Sequence, residues 1–138
     1  MLEIGDVDPG FGPLVASTYN RPVDAVITQP DGKTIVGGDF KSFAGCARRN
    51  IARLNSDGSC DPSFNPGLGL TILYQNQLGA QIVPGTHRVG IPVKALALQS
   101  DGKILVGLLG NAGFQGGVSV RSDIIVRLNT DGTIDSSF

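Results

Sequence analysis

The side chains able to do chemistry in this chain are few, and most occur twice. His87 is the only histidine. It sits in the string PGTHRVG, with no serine or cysteine in a recognisable nucleophile motif beside it. Acyl transfer needs a base within hydrogen-bond reach of its nucleophile and a third group to orient the base, so His87 reads as a solvated loop residue. Asp57 and Asp61, and again Asp131 and Asp135, stand four apart around turns. Paired carboxylates suggest calcium, yet a calcium loop alternates its oxygen ligands densely. These loops do not, and the aspartates read as turn caps. Arg53 and Arg127 recur at one place in the pattern, where the pleat of a strand sets them beside a neighbouring carboxylate, Asp61 or Asp135. A structural ion pair is the first reading there, and contact with a ligand the second.

Loops supply the remaining candidates. Arg48 and Arg49 lie in a glycine-containing loop with Phe40 and Phe43 close in sequence, and Tyr74, Gln75 and Asn76 lie in a long connecting segment. Binding residues concentrate on loops held by a rigid scaffold, so these five are the candidate binding residues. Gln115-Gly116-Gly117 is a spacer rather than a phosphate cradle, because no helix follows to supply a positive N-terminus. Cys46 and Cys60 match no metal-site spacing. Cys60 takes the place of Ile134 in the other copy, so both thiols read as small buried hydrophobes, with a Cys46–Cys60 disulfide as the lesser alternative. No catalytic residue, metal ligand or cofactor is assigned.

These residues recur because the chain repeats itself. Residues 23–38, VDAVITQPDGKTIVGG, return as 93–108, VKALALQSDGKILVGL; residues 51–64, IARLNSDGSCDPSF, return as 125–138, IVRLNTDGTIDSSF. A unit of about 40 to 45 residues has the length at which repeats stack into propellers or solenoids. Within each unit an Asp-Gly turn twice separates two runs of β-formers, which suits a type I turn closed by a left-handed glycine. The spacing predicts four strands per unit, over 23–29, 33–39, 50–55 and 59–64, then 93–99, 103–109, 123–129 and 133–138. First and second strands are apolar on both faces and fourth strands are mostly polar. That gradient suits a blade whose inner strands are sandwiched between neighbours and whose outermost strand is an exposed edge, where Pro62 is tolerated.

The string Val-x-Ala-(Leu/Val)-x-x-Gln-x-Asp-Gly-Lys-x-(Ile/Leu)-Val-Gly, followed by Ile-x-Arg-Leu-Asn-x-Asp-Gly-x-x-Asp-x-Ser-Phe, resembles the delta-60 repeat, a β-propeller-type repeat found mostly in large bacterial proteins. The resemblance implies a blade and a tendency toward surface or secreted proteins; it brings no established activity and no catalytic residues. The expected fold is all-β, with two four-stranded antiparallel blades, 23–64 and 93–138, separated by an inserted bridge at 65–92. Residues 1–22 form an N-terminal outer strand and connector, since Asp6-Val7-Asp8-Pro9-Gly10-Phe11 matches Ser59-Cys60-Asp61-Pro62-Ser63-Phe64. Residues 118–123 lie in a lengthened connection between the second and third strands of the second blade. Known propellers close with about four to eight blades, so this chain is an incomplete ring.

Composition narrows the function. Of 138 residues, 20 are Gly and 8 are Pro, about a fifth of the chain against a usual ~12 %. Glu3 is the only glutamate and no segment repeats its apolar residues at the helical spacing. A net charge of −1 provides no basic field for nucleic acid, and no window approaches a membrane span or a signal peptide. The expectation is a non-enzymatic structural or interaction module, part of a larger surface, secreted or virion assembly, with protein partners through blade faces or loops and further copies of itself among them. A glycan-binding adhesin with pockets between blades is the alternative; with no Trp and 2 Tyr, it has few rings to stack on sugars.

Overall fold

The computed structural model describes residues 9–10, 22–67, 71–73, 88–115 and 118–138. All regular elements among them are strands, and no helix there is long and apolar enough to cross a membrane. β1 (Val23–Thr28), β2 (Thr34–Gly38) and β3 (Ile51–Leu54) form one antiparallel sheet, in that order. β4 (Thr71–Leu73) pairs with β5 (Arg88–Gly90), and β6 (Val93–Leu98), β7 (Ile104–Gln115) and β8 (Val118–Leu128) form a second three-stranded antiparallel sheet.

Hairpin chemistry explains the repeated ladders. In the first turn Gln29 N–H donates to the Lys33 carbonyl at 2.7 Å and Gly32 N–H to the Gln29 carbonyl at 3.0 Å, with Gly32 at φ +83°. Gly58, Gly102 and Gly132 hold the same left-handed conformation at φ +82°, +82° and +89°, as a type I turn with a closing left-handed residue requires.

Each unit forms three strands, not the four that the spacing predicts. The expected strands at 59–64 and 133–138 shrink to single bridges, Leu54 to Cys60 and Leu128 to Ile134. Beyond each bridge the chain turns on an aspartate: Asp61 Oδ1 accepts from Ser63 N–H at 3.0 Å and Ser63 Oγ at 2.6 Å, and Asp135 does the same with Ser137. Side chain to backbone bonds of this kind compete with a ladder. The lengthened connection at 118–123 is likewise corrected: β7 and β8 run on past the first sheet's length as one long hairpin, with Leu109 opposite Asp123 and Asn111 opposite Arg121. The bridge at 65–92 contains the β4–β5 pair. Of the N-terminal outer strand only residues 9–10 are described, and they lie in a turn.

The register decides which side chains meet. Ile35 pairs with Arg53 and Gly37 with Ile51, which puts these four on one face of the first sheet and Val36, Ala52 and Leu54 on the other. The first face packs against the second sheet, in a core of Ile35, Ile51, Phe64, Ile91, Val93, Ile104, Val106, Leu108 and Leu128. Gly37 is required there, because a Cβ would collide with Val93. The other face carries a second cluster, in which Phe40, Phe43 and Cys46 of the 40–46 loop cover Val36, Ala52 and Leu54.

Both cysteines are in a disulfide, Cys46 to Cys60, with Cα atoms 5.3 Å apart. This overturns the reading of two buried thiols. The alignment of Cys60 with Ile134 misled because Ile134 is itself 61 % exposed; the position demands no buried hydrophobe, and the 40–46 loop brings a second sulfur to it.

The turn at Gly132 joins local and tertiary constraints. A Cβ there would lie 3.0 Å from the Phe64 ring and 3.1 Å from the Asn65 nitrogen, whereas at Gly45, φ +75°, it would meet nothing within 4 Å. Gly132→Val should therefore cost about 2 to 4 kcal/mol, strain plus overpacking, and Gly45→Ala only the strain of about 1 to 2 kcal/mol. Equal shifts in urea midpoint would show that the turn does not press on Phe64.

Candidate functional site

The most concentrated chemistry in the described residues is a cation pair on one carboxylate, built twice. In the first unit Asp61 Oδ2 accepts from Arg53 Nε at 2.7 Å and from Lys33 Nζ at 2.8 Å. Its other oxygen takes the Ser63 donors. Arg53 stands on β3, opposite Ile35 on β2, and Lys33 enters β2 from the first turn. The guanidinium also lies over the Phe64 ring, 4.9 Å from its centroid, and Nη2 reaches Ser63 Oγ at 3.2 Å. In the second unit Asp135 holds Arg127 at 2.7 Å and Lys103 at 2.9 Å, with Arg127 4.8 Å from the Phe138 centroid.

One contact distinguishes the copies. Arg53 Nη1 crosses to the second sheet and donates to the Thr130 carbonyl at 2.7 Å, and beside it Asn65 N–H donates to the Asp131 carbonyl at 2.7 Å. Two further bonds join the units: buried Asn50 Nδ2 to the Ile91 carbonyl at 2.8 Å, and an exposed Lys94–Asp24 ion pair at 2.8 Å. In the first unit the arginine thus fastens its own carboxylate to the neighbouring sheet, whereas in the second the same charges close on their own unit.

Electrostatics agree with that role. Burial pushes the Asp61 carboxyl up, but donors from Lys33, Ser63 and Arg53 outweigh it and hold the group well below the usual carboxylate range. Asp135 is depressed first by the Ser137 hydroxyl, then by Lys103. Asp57 and Asp131 are lowered by the hydroxyl and N–H of Ser59 and Thr133, so they cap their turns. Carboxylates depressed this far are poor proton donors or acceptors near neutral pH.

Two sheets of one sequence pattern thus pack side by side, with one unit's arginine seated on the next unit's turn, an arrangement consistent with neighbouring blades. The chain belongs to the DUF5122 beta-propeller family. The model of that family, described as "Domain of unknown function (DUF5122) beta-propeller", matches residues 29–64 and 99–138. These DUF5122 stretches hold every member of both fasteners and leave out the whole 65–98 segment. No curated protein and no solved structure matches the chain.

The binding candidates are dispersed. Arg48 is half-buried, with Nε donating to the Phe64 carbonyl at 3.2 Å. Arg49 is exposed, and Phe40 and Phe43 face each other at 5.3 Å inside the second cluster. Tyr74, Gln75, Asn76 and His87 lie outside the described residues. The Arg–Asp pairing follows from the sequence, whereas Lys33 and Lys103 were missed. Their signal was the Asp-Gly-Lys string present in both copies, read only as a turn.

The depressed Asp61 sets an acid limb. A carboxyl whose folded pKa is lowered contributes stability that is present above its unfolded value of about 4 and lost as pH falls toward the folded value. Asp61→Asn should cost about 3 to 5 kcal/mol at pH 7, because Arg53 stays buried without its counter-charge. Its stability should also fall less steeply than the parent's between about pH 5 and pH 2. Urea titrations across that range measure both; parallel acid limbs would mean that Asp61 does not set the slope.

Proposed function

We propose that this chain is a non-enzymatic structural and interaction module, working within a larger assembly at a cell surface, in secreted material or in a virion. The observation that carries the reading is the use of its charges: Asp61, Asp135, Arg53 and Arg127 are committed to one another within the fold, and Arg53 also to the neighbouring sheet. A reaction would need such groups turned toward a substrate. Affinity with the delta-60 repeat, found in surface and secreted proteins, points the same way. So does the Cys46–Cys60 disulfide, since disulfides persist in oxidising compartments.

The glycan-binding alternative has less support, because Phe40 and Phe43 are spent on the second hydrophobic cluster. The described loops present no other paired rings.

Fractionation of the source cells or particles, with thiols alkylated at lysis, tests the reading. The chain should partition with exported or particle-bound material and expose its two cysteines only after reduction. Recovery as a reduced cytosolic monomer would overturn it. Reduction of the purified chain should lower its stability by about 3 kcal/mol, the expected value for a loop of this size.

A further inference from the structure

The disulfide joins two sulfurs in unlike places. Cys46 is 2 % exposed, on the 40–46 loop, among Val36, Phe40, Ala52 and Leu54. Cys60 is half-buried and follows the second turn of the first unit, where it bridges to Leu54. The second unit shows what that place is like without a sulfur. Ile134 stands there, bridged to Leu128 and 61 % exposed. The two segments are built by the same bonds: Asn55 N–H to the Ser59 carbonyl at 2.8 Å and Asp61 N–H to the Arg53 carbonyl at 2.9 Å, against Asn129 N–H to Thr133 at 2.8 Å and Asp135 N–H to Arg127 at 2.9 Å. The 55–64 segment therefore needs no disulfide to hold its shape, and it keeps Cys60 at the surface whether or not the sulfur is bonded.

Thiol–disulfide exchange begins when a thiolate attacks one sulfur and the other departs, and access decides which sulfur is attacked. Cys46 is reached only through its loop and the apolar cluster, whereas Cys60 is reached from the rim. One effect opposes attack at Cys60. An apolar site raises a thiol's pKa, which makes Cys46 the poorer leaving group. That slows the step without redirecting it, because a sulfur that is covered is not attacked. The departing sulfur also has an acceptor for its proton. Cys46 Sγ lies 3.9 Å from the Arg53 carbonyl oxygen, which takes one N–H, from Asp61, and a carbonyl oxygen has two lone pairs.

We propose that Cys60 is a site of reversible S-thiolation by low-molecular-weight thiols, and that Cys46 is its internal resolving thiol. A small thiolate bonds to Cys60 Sγ as the Cys46–Cys60 bond breaks, and the electron pair departs on Cys46. That sulfur takes a proton from water and donates it toward the Arg53 carbonyl. In the return step Cys46, deprotonated, attacks Cys60 Sγ and the small thiol leaves with the electron pair of the mixed disulfide. One disulfide replaces another in each direction, so no outside oxidant or reductant is consumed. The loop stays in place meanwhile, held by the packing of Phe40 and Phe43 and by the paired backbone bonds between Phe43 and Cys46 at 3.0 and 2.7 Å. The inference rests on where the two sulfurs lie and not on the structural role proposed above.

Two single-thiol chains, Cys46→Ser and Cys60→Ser, test it with dithiodipyridine, a small neutral disulfide that leaves one half on an accessible thiolate and releases the other as a coloured thione. Cys60 in the first chain reacts at least tenfold faster than Cys46 in the second, and the difference disappears in denaturing guanidinium. The unsubstituted chain supplies the second arm. Reduced, and given a limiting amount of iodoacetamide without denaturant, it has its label on Cys60 by peptide mapping. Equal rates in two folded variants, faster reaction at Cys46, or label divided evenly between the two cysteines overturns the proposal. Where circular dichroism shows a variant to be unfolded, the labelling of the unsubstituted chain decides alone: label on Cys60 upholds the assignment and even labelling defeats it.

Discussion

Arg53 carries a charge into a place where water cannot reach most of it. A guanidinium removed from water is tolerated only when its hydrogen bonds and counter-charge are supplied by the fold, and removal of one partner costs far more than the assembled pair contributes. Here the supplies come from three parts of the chain: Asp61 beyond the Leu54–Cys60 bridge, Phe64 where the first unit ends, and the Thr130 carbonyl in a turn of the second unit. The 55–64 segment, the hairpin above it and the neighbouring sheet must all be in register before that cation is satisfied. Apolar burial supplies the driving force for bringing the sheets together, and it is non-directional. The arginine selects one arrangement among those that burial would accept.

The same requirement explains where sequence reasoning succeeded. Hairpins were legible because an Asp-Gly pair between β-forming runs admits few turn geometries, and all four turns have the left-handed glycine this chemistry demands. The inner strands were legible from apolar residues on both faces. The fourth strands were not. SCDPSF and TIDSSF have the spacing of a strand, but each contains an aspartate two residues before a serine, and that pair closes a turn on itself. Local side-chain capture of the backbone outweighs a ladder that has only one outer partner to offer.

At the fastener, pairing of Arg53 with Asp61 followed from pleat and repetition alone. The lysines did not, because Lys33 and Lys103 lie at the mouth of a turn, and only the fold shows that mouth to be above the carboxylate of the same unit. The disulfide was hidden for a related reason. Its two sulfurs belong to a loop and to a strand remnant, 14 residues apart, and nothing in local pattern says that the loop folds back over the sheet. Contacts set by tertiary return of a loop carry no periodicity, whereas contacts along a strand do.

Recognition between units rests largely on main-chain atoms. Arg53 meets a carbonyl, Asn65 donates to a carbonyl, Asn50 meets a carbonyl, and Phe64 lies against a glycine. A side chain that reads the backbone of a turn is indifferent to most of that turn's sequence, provided the glycine remains. Two units can then differ across the 65–92 bridge and in the length of the β7–β8 hairpin without disturbing how they stack. Beyond the apolar core, the directional contacts between units thus use an arginine, two asparagines, a phenylalanine against a glycine and one exposed ion pair, most of them addressed to backbone rather than to a particular side chain.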